Sequence, residues 1–112
     1  MELDYICTRK DDMNPIHWKG HIKLLKTTDH YELKVTARYS SFHIICGKYA
    51  HGCFLCIPSW NIGTELASLS DSFWNYEHLT TNYPELSPVD AISIVGALVK
   101  LSEYILLQEE AG

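Results

Sequence analysis

The sequence lacks the features that would place the protein in a membrane or send it to the secretory pathway. No apolar run reaches the roughly 18 residues that a membrane span needs. The segment Met1–Asp4 has neither the basic stretch nor the apolar stretch of a secretory signal. We therefore expect a cytoplasmic protein of a bacterial host. The 112 residues, 46% of them apolar, predict one folded domain over residues 1–112 rather than a disordered chain.

Catalytic motifs are also absent from the sequence. No Gly-x-Ser-x-Gly turn presents a nucleophilic serine, and the six glycines stand singly rather than in a phosphate-binding loop. There is no internal repeat and no low-complexity segment. Because no group of residues has the spacing of a known catalytic centre, we expect a protein that is not an enzyme.

Positive charge is scarce in the second half of the chain. Residues 1–60 carry eight basic and six acidic residues, whereas residues 61–112 carry eight acidic residues and a single basic one, Lys100. A negative field repels nucleic acid and attracts a basic protein surface. We expect a partner-binding acidic face that includes Glu65, Asp71, Glu77, Glu85 and Glu103. The alternative is an acidic surface that only keeps the protein in solution.

Alternation of apolar and polar residues predicts β-strands in residues 1–60. The predicted strands are Glu2–Arg9, Trp18–Lys26, Tyr31–Tyr39, Phe42–Tyr49 and the short apolar run Cys53–Ile57. Short turn sequences separate most of these runs, which favours antiparallel pairing between neighbours. We therefore expect an antiparallel β-meander of about four strands, and residues 1–60 should be mainly β-sheet.

Residues 61–112 change to helical spacing and should be mainly helical. Gly63–His78 places apolar side chains at helical intervals, which predicts one helix or two short ones. Ser87, followed by a proline, and Asp90 together form a helix start with the serine as N-cap. The apolar stripe that follows predicts a helix to about Gln108. The predicted fold class is α+β, with the meander packed by two or three C-terminal helices.

One short stretch holds four candidate zinc ligands. Cys46, His51, Cys53 and Cys56 carry the sulfur and nitrogen donors that zinc prefers, and Cys53 and Cys56 have the gap of paired ligands. A regular strand over Cys53–Ile57 would instead point Cys53 and Cys56 to opposite faces. The cysteines would then be small buried residues in a reducing compartment. We expect no cofactor, with a zinc-stabilised structural or regulatory module as the alternative.

A basic strand surface is a further alternative. Lys19, Lys23, Lys34 and Arg38 fall on the polar side of two predicted strands, near aromatic residues that could stack on bases. Glu32 shares that side, and the sequence pI of 5.6 disfavours contact with nucleic acid. We therefore expect no direct binding of nucleic acid.

Three segments of the sequence resemble a known family. Ser41–Tyr49, Leu55–Ala67 and Asp71–Asn75, with unusual Cys-Ile-Pro-x-Trp-Asn and Phe-Trp-Asn phrases, resemble small proteins of conjugative elements, plasmids and phages of Gram-positive bacteria. The resemblance implies a role on a mobile genetic element, such as that of an anti-CRISPR protein. Anti-CRISPR proteins commonly bind a basic CRISPR effector nuclease and block its nucleic-acid channel, which Lys and Arg line. The resemblance thus implies a non-enzymatic inhibitor. An accessory protein without inhibitor activity is the alternative.

Overall fold

Six antiparallel strands form one sheet in the part of the chain that the computed structural model describes, residues 1–9, 16–38, 40–49, 52–66 and 76–111. The strands are β1 (Glu2–Arg9), β2 (Ile16–Lys26), β3 (His30–Ala37), β4 (Ser41–Tyr49), β5 (Gly52–Ile57) and β6 (Ile62–Leu66). Each strand pairs with its neighbours in sequence, so the sheet order is β1-β2-β3-β4-β5-β6. The predicted antiparallel meander is confirmed, with six strands rather than about four.

The alternating sequence places one side of the central strands in the core. In β3, Leu33 and Val35 are buried whereas Lys34 is exposed. Across β2 and β3, the register sets Leu24 opposite Leu33 and Ile22 opposite Val35, so apolar residues meet on one face. Because a slip of one residue would turn every buried side chain outward, burial of this face fixes the register.

The chain reverses tightly between β5 and β6. Pro58–Trp60 forms a single 3₁₀ turn, after which Asn61 adopts a left-handed φ of 55° and donates its N–H to the Pro58 carbonyl at 3.1 Å. Asparagine tolerates this conformation better than most residues. Ile62–Leu66 then pairs with β5, so the prediction that a helix begins at Gly63 is wrong. Residues 67–75 of that predicted helical segment lie outside the described residues.

Two described helices follow the sheet, α1 (Tyr76–Asn82) and α2 (Pro88–Ala111). The hydroxyl of Ser87 accepts the N–H of Asp90 at 3.2 Å and donates to its carboxylate at 2.8 Å, which confirms the predicted helix start. The Asp90 carboxylate also accepts the hydroxyl of Ser40, which lies between β3 and β4. Helix α2 ends slightly beyond the predicted end. Neither of the described helices has the length and apolar content of a membrane span.

The ring of Tyr5 connects α2 to the sheet. It lies over Gly20, its cross-strand partner in β2, in the space that a Cβ atom there would fill. On the helix side it approaches Gly96 so closely that a Cβ atom would stand 2.8 Å from the ring. The buried hydroxyl donates to the carbonyl of Ser93 at 3.1 Å. Two glycines and one hydrogen bond therefore set how α2 lies on β1.

Replacement of Gly20 by alanine tests this packing. The added Cβ atom would overlap the Tyr5 ring, so we expect the free energy of unfolding to fall by about 1–3 kcal/mol. Gly63→Ala in β6 is the matched control, because the nearest heavy atom to its Cβ is the Cys56 Sγ at 4.0 Å. Urea unfolding of both variants measures the difference. An equal loss in the two variants would show that the space beside Tyr5 is not the cause.

Candidate protein-binding groove

A groove of about 910 Å³ runs between β1 and α2. Five consecutive residues of β1, Asp4–Thr8, form one wall, and Tyr76 of α1 contributes to the lining. The α2 residues that form the other wall are Ile92, Val95, Gly96, Val99, Lys100 and Glu103. Successive residues of a strand point to opposite faces, yet all five reach the groove. The groove therefore follows the edge of β1 rather than one face of the sheet.

The groove combines a strand edge with exposed apolar side chains. Among the described residues, no strand pairs with the outer side of β1. Ile6 is 66% exposed, and Tyr76 and Val99 are 43% and 42% exposed. Unpaired backbone groups beside clustered apolar side chains are typical of a surface that binds another chain.

Carboxylates flank the apolar part of the groove. Asp4 lines it, and Glu2 lies on the same side of β1. The Nδ1 atom of His21 lies 2.8 Å from Asp4, and its Nε2 atom lies 3.3 Å from Glu2. On the helix side, the Lys100 Nζ atom stands 3.9 Å from the Glu103 carboxylate. Even with His21 protonated, the three carboxylates of Glu2, Asp4 and Glu103 outnumber the two cations, His21 and Lys100.

The five residues predicted to form the acidic face lie in different places. Glu103 lines the groove, and Glu77 is exposed in the first turn of α1, next to the lining residue Tyr76. Glu85 is exposed between the two helices and does not line the groove. Glu65 belongs to β6, at the opposite edge of the sheet from β1. The remaining residue, Asp71, lies outside the described residues.

The sequence prediction missed the contribution of β1 to the groove. Ile6 shares the polar side of this strand with Asp4 and Thr8, and this apolar residue among polar ones was the available signal. The position of β1 at a sheet edge depends on which strands pair with one another, and the residue pattern within a single strand does not reveal this pairing.

The predicted zinc ligands do not converge in the described part of the chain. Cys46 and Cys53 are buried on the inner face of the sheet. Cys56 is only partly buried and lies opposite Ile45, on the other face. His51 lies outside the described residues. Within the described ranges, no group of three or more His, Cys, Asp or Glu residues is placed to hold a metal ion.

Burial keeps two thiols protonated. Desolvation raises the pKa of Cys46 to about 12 and also raises the pKa of Cys7. Metal binding and nucleophilic attack both need the thiolate form. Cys46 and Cys7 therefore act as small apolar residues of the core.

Elemental analysis tests the zinc alternative directly. Since Cys56 faces away from the other two cysteines, we expect protein purified without chelator to contain less than about 0.1 zinc per chain. A Cys56→Ser variant should have the same zinc content and the same thermal stability. One zinc per chain that is lost on this substitution would contradict the described arrangement.

Comparison with known proteins identifies a family. Residues 3–106 match the model of a family of unknown function, DUF6618. The chain belongs to this family. The matched range contains every residue that lines the groove, so the groove is part of the DUF6618 domain. No curated protein and no solved structure shows a significant match to the chain.

The free energy of unfolding of this DUF6618 protein should depend on pH because of two histidines, His21 and His30. Hydrogen bonds to Asp4 and then to Glu2 raise the pKa of His21 above its ordinary 6.5. Asp29 and then Glu32 do the same for His30. The folded state thus binds protons more tightly than the unfolded state. This stabilisation is complete below the ordinary histidine pKa of 6.5. It is lost as the pH rises through the raised pKa values that His21 and His30 have in the folded protein.

We therefore expect these histidines to make the protein more stable at about pH 6 than at about pH 8. Urea unfolding at the two pH values measures the change, and NMR titration of the imidazole signals gives each pKa. Asp4→Asn should lower the pKa of His21 and leave that of His30 unchanged. An unchanged pKa for His21 in this variant would show that the contact is not made in solution.

Proposed function

We propose that this protein is a non-enzymatic inhibitory binding protein of the anti-CRISPR type, active in the bacterial cytoplasm. It docks the groove between β1 and α2 on a basic surface of a CRISPR effector nuclease and thereby blocks binding of nucleic acid. The mobile-element resemblance of the sequence supports the class of partner.

The groove between β1 and α2 is the observation that carries the proposal. Its exposed apolar residues supply area that is removed from water on binding, and the flanking carboxylates supply orientation and attraction. Ile6 and Val99 are exposed apolar residues of its lining, and Asp4 and Glu103 are acidic residues of the same lining. Exposed apolar area together with charged groups is typical of a protein-binding surface.

A nuclease channel has the complementary chemistry. Such channels hold the phosphates of guide and target strands with Lys and Arg side chains. A carboxylate-bearing surface competes with those phosphates for the same cations, and attraction over a distance speeds the encounter. Inhibition then follows from occupancy of the channel, without any chemical step on this chain.

Binding to purified nucleases tests the proposal. The protein should co-elute in size exclusion at low salt with one or more members of a panel of CRISPR effector nucleases, and it should reduce their binding of guide or target nucleic acid. Glu103→Lys and Glu77→Lys should each weaken the complex roughly five- to tenfold, and added salt should slow association. Calorimetry and stopped-flow mixing measure these changes.

Glu85→Lys is the matched control for these variants. It makes the same charge change at an exposed residue that neither lines the groove nor is next in sequence to a lining residue, as Glu77 is to Tyr76, so the affinity should stay within about twofold. Equal losses for Glu85→Lys and Glu103→Lys would point to a diffuse acidic field rather than to the groove. Absence of any complex at low salt, with guide-free and guide-loaded nucleases, would exclude this function.

A further inference from the structure

We propose that the outer edge of β1 binds an extended, basic segment of the partner as an added antiparallel β-strand. This inference rests on the proposed protein-binding function and specifies the form of the partner. The groove touches Asp4–Thr8, a stretch of roughly 14 Å at about 3.4 Å per residue, which suits an extended chain. Addition of a strand to a sheet edge is an established mode of peptide recognition.

The hydrogen bonds between β1 and β2 show which backbone groups of β1 are directed outward. Met1 and Leu24 exchange two hydrogen bonds, with Leu24 N–H donating to the Met1 carbonyl at 2.8 Å and the Met1 amino group donating back at 3.2 Å. In an antiparallel pair, such residue pairs alternate with pairs that exchange no bond. With the register unbroken, the residues that bond to β2 are Leu3, Tyr5 and Cys7.

The intervening residues of β1 therefore direct their N–H and carbonyl groups away from the sheet. These residues are Glu2, Asp4, Ile6 and Thr8. No described strand pairs with this side of β1. On the helix side, α2 comes close to the Ile6 carbonyl, since a Cβ atom at Gly96 would contact it at 3.7 Å, and the glycine adds no side chain there. The edge offers a regular set of donors and acceptors to one more strand.

The two faces beside this edge specify the side chains of the incoming segment. A residue paired with Asp4 points its side chain to the same face as the Asp4 and Glu2 carboxylates. His21 of β2 contacts both carboxylates but supplies at most one positive charge for the two, so a Lys or Arg fits there. A residue paired with Tyr5 points toward α2, where Val95 and Val99 line the groove, so an apolar side chain fits there. The expected segment alternates basic and apolar residues.

Charge favours a foreign segment over a second copy of this chain. Pairing of β1 with β1 of another molecule would bring two sets of Glu2 and Asp4 carboxylates to one face of the joint sheet. Like charges that lie directly opposite each other on neighbouring strands are destabilising, and charged residues on an edge strand commonly prevent self-pairing. A basic segment gains from the same carboxylates.

Hydrogen exchange gives a direct test with a synthetic probe. The probe is a peptide of about eight residues that alternates Lys and Val, and its control alternates Glu and Val. In the free protein, the amides of Tyr5 and Cys7 should exchange slowly and those of Asp4 and Ile6 quickly. The Lys-Val peptide should slow exchange at Asp4 and Ile6 by about tenfold or more, and the Glu-Val peptide should not.

The variant Ile6→Pro tests strand addition by changing the protein rather than the peptide. Proline removes the outward N–H and places its ring in the path of an added strand, yet it leaves every bond to β2 in place because Ile6 pairs with Lys19 without a hydrogen bond. We expect a loss of peptide binding of about tenfold or more. Ile6→Val keeps the N–H and should bind within about twofold of the wild type. The exchange experiment on the wild-type protein decides the question if the proline variant does not fold.

The outcomes separate this inference from the proposed function. A nuclease complex in which Asp4 and Ile6 still exchange rapidly would overturn strand addition and leave the inhibitor function standing. Protection by the Lys-Val peptide without any nuclease complex would support strand addition and exclude the nuclease as the partner. Protection that rises with protein concentration alone would overturn the inference in favour of a second copy.

Discussion

The close contact of the Tyr5 ring with two glycines determines the arrangement of the molecule. A side chain at Gly20 or Gly96 would occupy the volume of the ring, so both positions are restricted to the smallest residue. The hydroxyl then fixes the helix along its axis through Ser93. Because α2 is held over β1, one side of the helix remains beside the sheet edge, and this geometry creates the groove. The functional proposal therefore depends on a packing contact in the core.

Much of the fold is predictable because its elements have strong local patterns. The first four strands follow from the alternation of apolar and polar residues and the fifth from a short apolar run. The helix start follows from Ser87 and Asp90, whose predicted hydrogen bonding the structure shows. Strand β6 was not predicted because five residues are too few to distinguish a strand from a helix by spacing. The decisive feature there is the left-handed backbone of Asn61, which a spacing pattern does not reveal.

The site is less predictable than the fold because it depends on which elements meet. The charge of the C-terminal half indicated Glu77 and Glu103, and the structure places both at or beside the groove. Asp4 and Ile6 belong to the half of the chain with a net positive charge, so comparing the net charges of the two halves did not point to them. For the cysteines, the alternation of side chains along a strand predicted that Cys53 and Cys56 point to opposite faces of the sheet. The pairing of β5 with its neighbours agrees with this prediction.

The sheet order has a consequence for how the chain folds during synthesis. Each strand can pair with the one before it as soon as both have left the ribosome, since all the paired strands are neighbours in sequence. The buried side of β1 is different, because α2, which is made after all six strands, covers it. Strand β1 thus keeps an apolar face uncovered while the other strands and α2 are made. This interval is when a nascent chain is most exposed to aggregation or to binding by a chaperone.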